Sequence, residues 1–322
     1  MPRTRNRRFA QQLRRPLFWG VFVASVAAAL TAGAWYAVEH ILPYSSIKPY
    51  RFAPELDPVR FPLGADPRRY GFNAEPFRVI AHDSVALACC ILRTPDPHPK
   101  GTVLMLHGIS ACKEHNFGLA RMLNDNGWHV ALTDLRAHGQ SGGAYCTFGY
   151  YEKRDMSLIL TEIALRDCPP PYGIFGESLG GAVAIQALAA DARWNFGVVE
   201  STFDDLVNVA AQYGYNWFGF RSHALAAAVM QSSGRIANFP PDSVCPMHAA
   251  KSVRCPVFVA HGANDEKIPA DHTQRIFQNL ASAEKERVVV AGAGHSDLHS
   301  VGGAEHEQRI LRFLDRQSRK FR

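Results

Sequence analysis

The sequence carries no Cys-x-x-Cys pair and no regular cysteine spacing. Its seven cysteines, at 89, 90, 112, 146, 168, 245 and 255, therefore indicate neither a zinc site nor a disulfide framework. The odd count fits an exported compartment imperfectly. Cys89 and Cys90 fall inside an apparent strand, where small thiols pack as buried apolar groups. No internal repeat or low-complexity segment is visible. With 47% apolar and 20% charged residues in 322, a folded core of one large domain or two small ones is expected.

Acidic residues are missing from positions 1–16, which hold Arg3, Arg5, Arg7, Arg8, Arg14 and Arg15. Without these the chain has 29 basic and 29 acidic residues, so the formal charge of +6 belongs to the tail. A nucleic-acid partner is excluded on that ground, because it needs basic residues spread over the folded surface. Charge of either sign is then absent from the 22 residues Leu17 to Val38. That length suits one spanning helix, and Trp19, Trp35 and Tyr36 sit near its ends, where aromatic anchors are common. The arginines before it predict a cytoplasmic N-terminus and an exported remainder: a single-pass protein of a bacterial inner membrane, facing the periplasm. A cleaved signal peptide is the rival reading, since Ala32-Gly33-Ala34 resembles a cleavage site, but the apolar run exceeds a usual signal core. Arg7-Arg8 also allows a twin-arginine reading.

Residues 39–75, rich in Pro, Arg and Tyr, read as a juxtamembrane linker draped over a catalytic domain at 76–322. There, apolar runs at 86–92, 102–106, 129–133, 173–175, 196–199, 256–260 and 287–291 alternate with helix-like stretches at 115–126, 151–167, 179–190, 271–281 and 304–316. This rhythm predicts an α/β fold with a mainly parallel twisted sheet and helices on both faces. The segment at about 202–254 is too long for a simple crossover and reads as a small helical cap; its Tyr213, Tyr215, Trp217, Phe218 and Phe220 suit either a substrate wall or ordinary packing.

Sites in such sheets lie past the carboxyl ends of the strands. Gly176-Glu177-Ser178-Leu179-Gly180 follows one strand and opens a helix, the context in which a G-x-S-x-G turn exposes a nucleophilic serine. Serine needs a base, and the base needs an orienting carboxylate. His295 follows the Gly292-Ala293-Gly294 turn after the last strand, and Asp265 follows the strand before it. Glu266 and Asp271 compete with Asp265; His299 and His306 compete with His295. The expected oxyanion donors are the amides of Leu179 and of Ile109, in His107-Gly108-Ile109-Ser110, where His107 braces the loop. His295, Asp297 and His299 also offer three possible metal ligands, but no second ligand cluster accompanies them, and the triad explains more residues. No metal or organic cofactor is expected.

These residues, with Asp134-Leu135-Arg136-Ala137-His138-Gly139-Gln140-Ser141-Gly142-Gly143 and Thr147-Phe148-Gly149-Tyr150-Tyr151-Glu152, resemble the α/β-hydrolase superfamily in its serine-aminopeptidase-like and prolyl-oligopeptidase-like branch. The resemblance covers about residues 76–316. Ala137 stands where the family usually has glycine. It implies the α/β-hydrolase fold and serine chemistry, and says little of the substrate. The expectation is a membrane-anchored hydrolase of small-molecule or lipid carboxylic esters working through an acyl-enzyme. The alternatives are a short-peptide peptidase, a lipid acyl hydrolase or thioesterase, and a catalytically silent, membrane-anchored interaction protein. Oligomeric state is left open.

Overall fold

The structure is a computed structural model that describes residues 5–321, with side chains from Phe18 onward. The basic tail expected at 1–16 thus lies partly outside the described residues. The chain begins in one long helix, α1 (Arg5–His40), followed after Ile41 by a short α2 (Leu42–Ile47) with Pro43 in its first turn. The expected linker does not hang free here. The Ile47 carbonyl accepts from Cys146 N at 2.8 Å, Ser46 Oγ meets Ser233 Oγ at 3.1 Å, and Ile47 is fully buried. Its Pro, Arg and Tyr content hides a lack of periodicity rather than a lack of contacts.

The domain is built on eight strands: β1 (Asn73–Ile80), β2 (Ala86–Arg93), β3 (Thr102–Leu106), β4 (His129–Thr133), β5 (Tyr172–Glu177), β6 (Phe196–Glu200), β7 (Val257–Gly262) and β8 (Lys285–Val290). Their order is β1-β2-β4-β3-β5-β6-β7-β8. The pairs β1–β2 and β2–β4 are antiparallel and the others parallel. Strands β3, β4, β6 and β7 are buried at every position, as strands covered on both faces must be. β1, at one edge, buries only alternate residues of its second half. It lies outside the expected apolar runs because Pro76 and its polar positions suit an edge strand.

Helices cover both sides. α3 (Phe117–Asp125) and the long α10 (Leu298–Arg319) pack Leu123, Ile310, Phe313 and Leu314 onto one face. α4 (Glu152–Leu165), α5 (Leu179–Ala190), α8 (Pro246–Ala250) and α9 (Asp271–Asn279) cover the other. Ten of the twelve residues of α5 are buried, which accounts for a helix apolar on all sides. Truncating Ile310 or Phe313, both fully buried, to alanine would cost about 2–5 kcal/mol.

The insertion after β6 is a helical hairpin, α6 (Leu206–Phe218) and α7 (His223–Ala237). Asp205 caps α6 by accepting from Val207 N (2.9 Å) and Asn208 N (3.1 Å), and Ser222 caps α7 by accepting from Leu225 N. Gly219, at φ 75°, turns the chain between them.

Candidate active site

The β5–α5 junction forces one residue into an unusual backbone state. Ser178 sits at φ 53°, ψ −116°, a region that costs a non-glycine residue about 1–3 kcal/mol. Neighbouring strands hold it there. Ser178 N donates to Glu200 O at 2.8 Å, and Thr202 Oγ1 donates to Ser178 O at 2.7 Å. The flanking glycines are steric necessities: a Cβ on Gly176 would lie 2.2 Å from Gly180 O, and one on Gly180 would lie 2.4 Å from Leu106 O. The turn therefore packs directly on the end of β3.

Two further loops converge on the serine. A Cβ on Gly262 would strike Gly294 O at 2.3 Å, and Asn264 N donates to Ala293 O, so the loops after β7 and β8 lie against each other. His295 Nδ1 is 2.7 Å from Asp265 Oδ2, and His295 Nε2 is 3.1 Å from Ser178 Oγ. The other Asp265 oxygen accepts from Lys267 N (3.0 Å) and Ile268 N (2.9 Å). Burial alone would push this carboxyl up; hydrogen bonds from His261 and His295 override it and hold Asp265 below the usual carboxylate range. Three of the four competing residues are engaged elsewhere. Asp271 pairs with Arg275, while His299 and His306 both bond Glu200.

The two residues expected to supply oxyanion donors line the same cavity as Ser178. Leu179 is the first residue of α5, so its N–H has no helical acceptor. Ile109, in the loop after β3, lines the same cavity as Ser178 and Leu179. That loop is braced by His107, whose Nε2 accepts from Leu135 N (3.0 Å) while Nδ1 meets Gly108 O (2.7 Å). Burial pulls His107 down to about 3, so the brace is a neutral imidazole. The Asp134 motif is scaffolding as well: Asp134 accepts from Lys113 N, Lys113 Nζ and Gln140 N. Ala137 stands at φ 61°, which explains why glycine suits that position.

A cavity of about 270 Å³ opens over Ser178. Phe148, Leu206, Trp217, Leu225 and Met230 contribute to its wall, together with Leu42 and Ser46 from α2. Among the described residues, none that lines it carries a charge.

One constellation was not anticipated. Glu200, at the end of β6, is 2% exposed and meets His299 Nε2 at 2.9 Å and His306 Nε2 at 2.8 Å. Burial would raise this carboxyl, but the adjacent His299 charge and the two hydrogen bonds bring it down to about 2; His299 is raised in turn. Glu177, paired with Glu200 across β5 and β6, is pushed up by burial and by the Glu200 charge. The three ligand atoms of Glu200, His299 and His306 lie within 4.8 Å of one another, close enough to share an ion, yet both nitrogens sit at hydrogen-bond distance from the carboxylate. His299 thus belongs with Glu200 rather than with His295. The hints in the sequence were slight: Glu200 ends a strand and His299 opens a helix, while His306 lies two turns further along it.

The chain is 32% identical over 224 residues to an uncharacterised protein of Mycobacterium tuberculosis, covering 68% of this chain and 72% of the relative. A family model for the serine aminopeptidases matches residues 97–233, and one for the prolyl oligopeptidase family matches 171–320. The chain belongs to the α/β-hydrolase superfamily. It is also 26% identical over 217 residues to the 2,6-dihydropseudooxynicotine hydrolase of Paenarthrobacter nicotinovorans, covering 65% of this chain and 55% of that enzyme. Among solved α/β hydrolases, an esterase of Pyrococcus furiosus superposes with a TM-score of 0.69 at 24% identity, over 85% of this chain and 98% of the esterase. The superfamily assignment agrees with the mainly parallel eight-stranded sheet, and the chain is a hydrolase of this type.

Proposed function

We propose that this α/β hydrolase is a membrane-anchored serine esterase in which Ser178, His295 and Asp265 act as nucleophile, base and orienter. The reading rests on the chain of contacts from Ser178 Oγ through His295 to Asp265. Ser178 Oγ attacks the ester carbonyl while His295 Nε2 takes its proton, and Asp265 fixes the tautomer and stabilises the imidazolium. The tetrahedral oxyanion lies against the amides of Ile109 and Leu179; one such donor is worth about 2.7–4 kcal/mol. His295 then returns the proton to the departing alcohol, and a water molecule repeats the cycle on the acyl-enzyme.

The uncharged cavity wall favours an apolar ester over a short peptide, whose ammonium would need a carboxylate partner. Neither Glu177 nor Glu200, the carboxylates beside the serine turn, lines that cavity, and Glu200 is already bound by two histidines. The anchor reading rests on α1, whose apolar stretch from Phe18 is exposed along its length.

Labelling with a fluorescent phosphonate tests the chemistry. Wild-type protein should label and S178A should not; H295A should lower ester turnover by about 10⁶-fold and D265N by about 10⁴-fold. Equal labelling of wild type and S178A would reject the assignment. Carbonate extraction tests the anchor: full-length chain released into the soluble fraction rejects a spanning α1.

A further inference from the structure

The expected juxtamembrane linker is bound to the cap. At the end of α1, Glu39 forms an ion pair with Arg235 of α7 and accepts from Ser232 Oγ at 3.0 Å. Seven residues later, in α2, Ser46 bonds Ser233. The cap hairpin is therefore held at a set position relative to the apolar helix, not swung on a tether.

At the far end of the hairpin, four aromatic residues crowd the turn between α6 and α7. Tyr215, Trp217, Phe218 and Phe220 are 51–61% exposed, with Trp217–Phe218 and Phe218–Phe220 ring centroids 6.4 and 6.3 Å apart. Arg221 and His223 follow them directly. A cluster of large rings in water is unfavourable unless another phase or partner covers it. Aromatic rings beside a cation are the composition of a membrane interface, where one end of the group is apolar and the other wet. A matching set, Trp35, Tyr36, Ile41 and Tyr44, is exposed at the end of α1. One cavity is lined from both regions: by Leu42, Ser45 and Ser46 of α2, which directly follows α1, and by Trp217, Phe218 and Phe220 at the hairpin.

We infer that the α6–α7 tip sits in the same membrane interface as the end of α1, so that the cavity over Ser178 opens onto lipid and takes its acyl chain from the bilayer. The occupant of this surface is the lipid leaflet, because the aromatic set continues from the apolar helix that would cross it. The substrate class is then a long-chain acyl ester presented by a membrane. This half of the inference rests on the esterase reading; the contact with lipid does not.

Full-length protein in phosphatidylcholine vesicles provides the test. The emission of Trp217, taken as the difference between wild type and W217F, should fall at least twofold when the lipid carries bromine on its shallow acyl carbons. Unchanged difference emission, with Trp19 and Trp35 quenched, overturns the inference, whether water or a second copy covers the tip. For delivery, a long-chain monoacyl ester is offered in vesicles and, separately, in detergent micelles. The ratio of the two rates should drop at least fivefold in Y215D/R221D. An equal fall in both, or in neither, overturns it. If wild type cleaves neither form but does cleave a short p-nitrophenyl ester, the long-chain substrate class is overturned; if it cleaves no ester at all, the esterase reading has failed, and the bromine quenching still decides the lipid contact.

Discussion

The amide of Ser178 donates to the carbonyl of Glu200 at 2.8 Å, so the strained serine hangs from a residue whose side chain is locked between two histidines. The end of β6 thereby connects the serine turn to the first turns of α10, four residues beyond His295. Three of the predictions below concern this region or the buried groups around it.

Ser178→Gly should stabilise the protein while abolishing ester turnover. Relief of strain at φ 53° is worth about 1–3 kcal/mol, and the extra chain entropy of an unfolded glycine offsets about 0.5–1 of it. A rise of about 2–4 °C per kcal/mol is expected by calorimetry. A melting temperature equal to or below wild type would mean that the turn is not strained in solution.

Glu200→Gln should be among the most damaging single substitutions. It removes a buried charge that satisfies two histidines, and the amide nitrogen confronts at least one of their donors. Breaking such a pair costs about 3–5 kcal/mol, readable as a lower denaturant midpoint. A change below about 1 kcal/mol would argue that His299 and His306 find other partners.

Acid should weaken the fold before most carboxylates titrate. Burial lowers His107 to about 3, and His115 and His129 to about 4, from an ordinary 6.5. These groups are neutral when folded, so their contribution is complete above about 6.5 and is lost as the pH falls toward 4. Glu200, lowered to about 2, adds a further loss beginning near its ordinary 4.5. His299 has the opposite sign: it is raised, so its contribution is full below 6.5 and declines as the pH rises. Urea midpoints should therefore fall steadily from pH 6.5 to 4, and His129→Gln should flatten that slope. A midpoint that does not change across this interval would contradict the buried neutral histidines.

Filling the cavity should change chain-length preference. Leu225→Trp or Met230→Trp places an indole in the wall and should move the optimum of a p-nitrophenyl ester series roughly two or more carbons toward shorter acids. An unmoved optimum would place the acyl chain elsewhere.

How legible all this was in the sequence depended on distance along the chain. Ser178, Asp265 and His295 stood out because each follows a strand and a glycine-marked turn, a purely local pattern, and the structure brings the three together. Glu200 and its histidines are 99 and 106 residues apart, and nothing local joins a strand-terminal glutamate to the face of a later helix. The α2 segment was read as linker because Leu42–Ile47 is too short to show a period, although it walls the cavity. The antiparallel edge was invisible for a similar reason: β1 buries one face only, so its apolar residues never form a run. Strands covered on both faces, by contrast, read as continuous apolar runs, and the central sheet was read correctly.

The thiols carry a last consequence. All seven cysteines are free, five of them buried, and burial pushes Cys89 up to about 12 and Cys90 and Cys255 to about 11. Thiolate is the reactive form, so the five buried thiols offer oxidants and alkylating agents little target while the chain stays folded, whereas Cys245 and Cys255 are half-buried. The same shielding makes the buried thiols a clock for unfolding, since each alkylation event records a moment when the core was open.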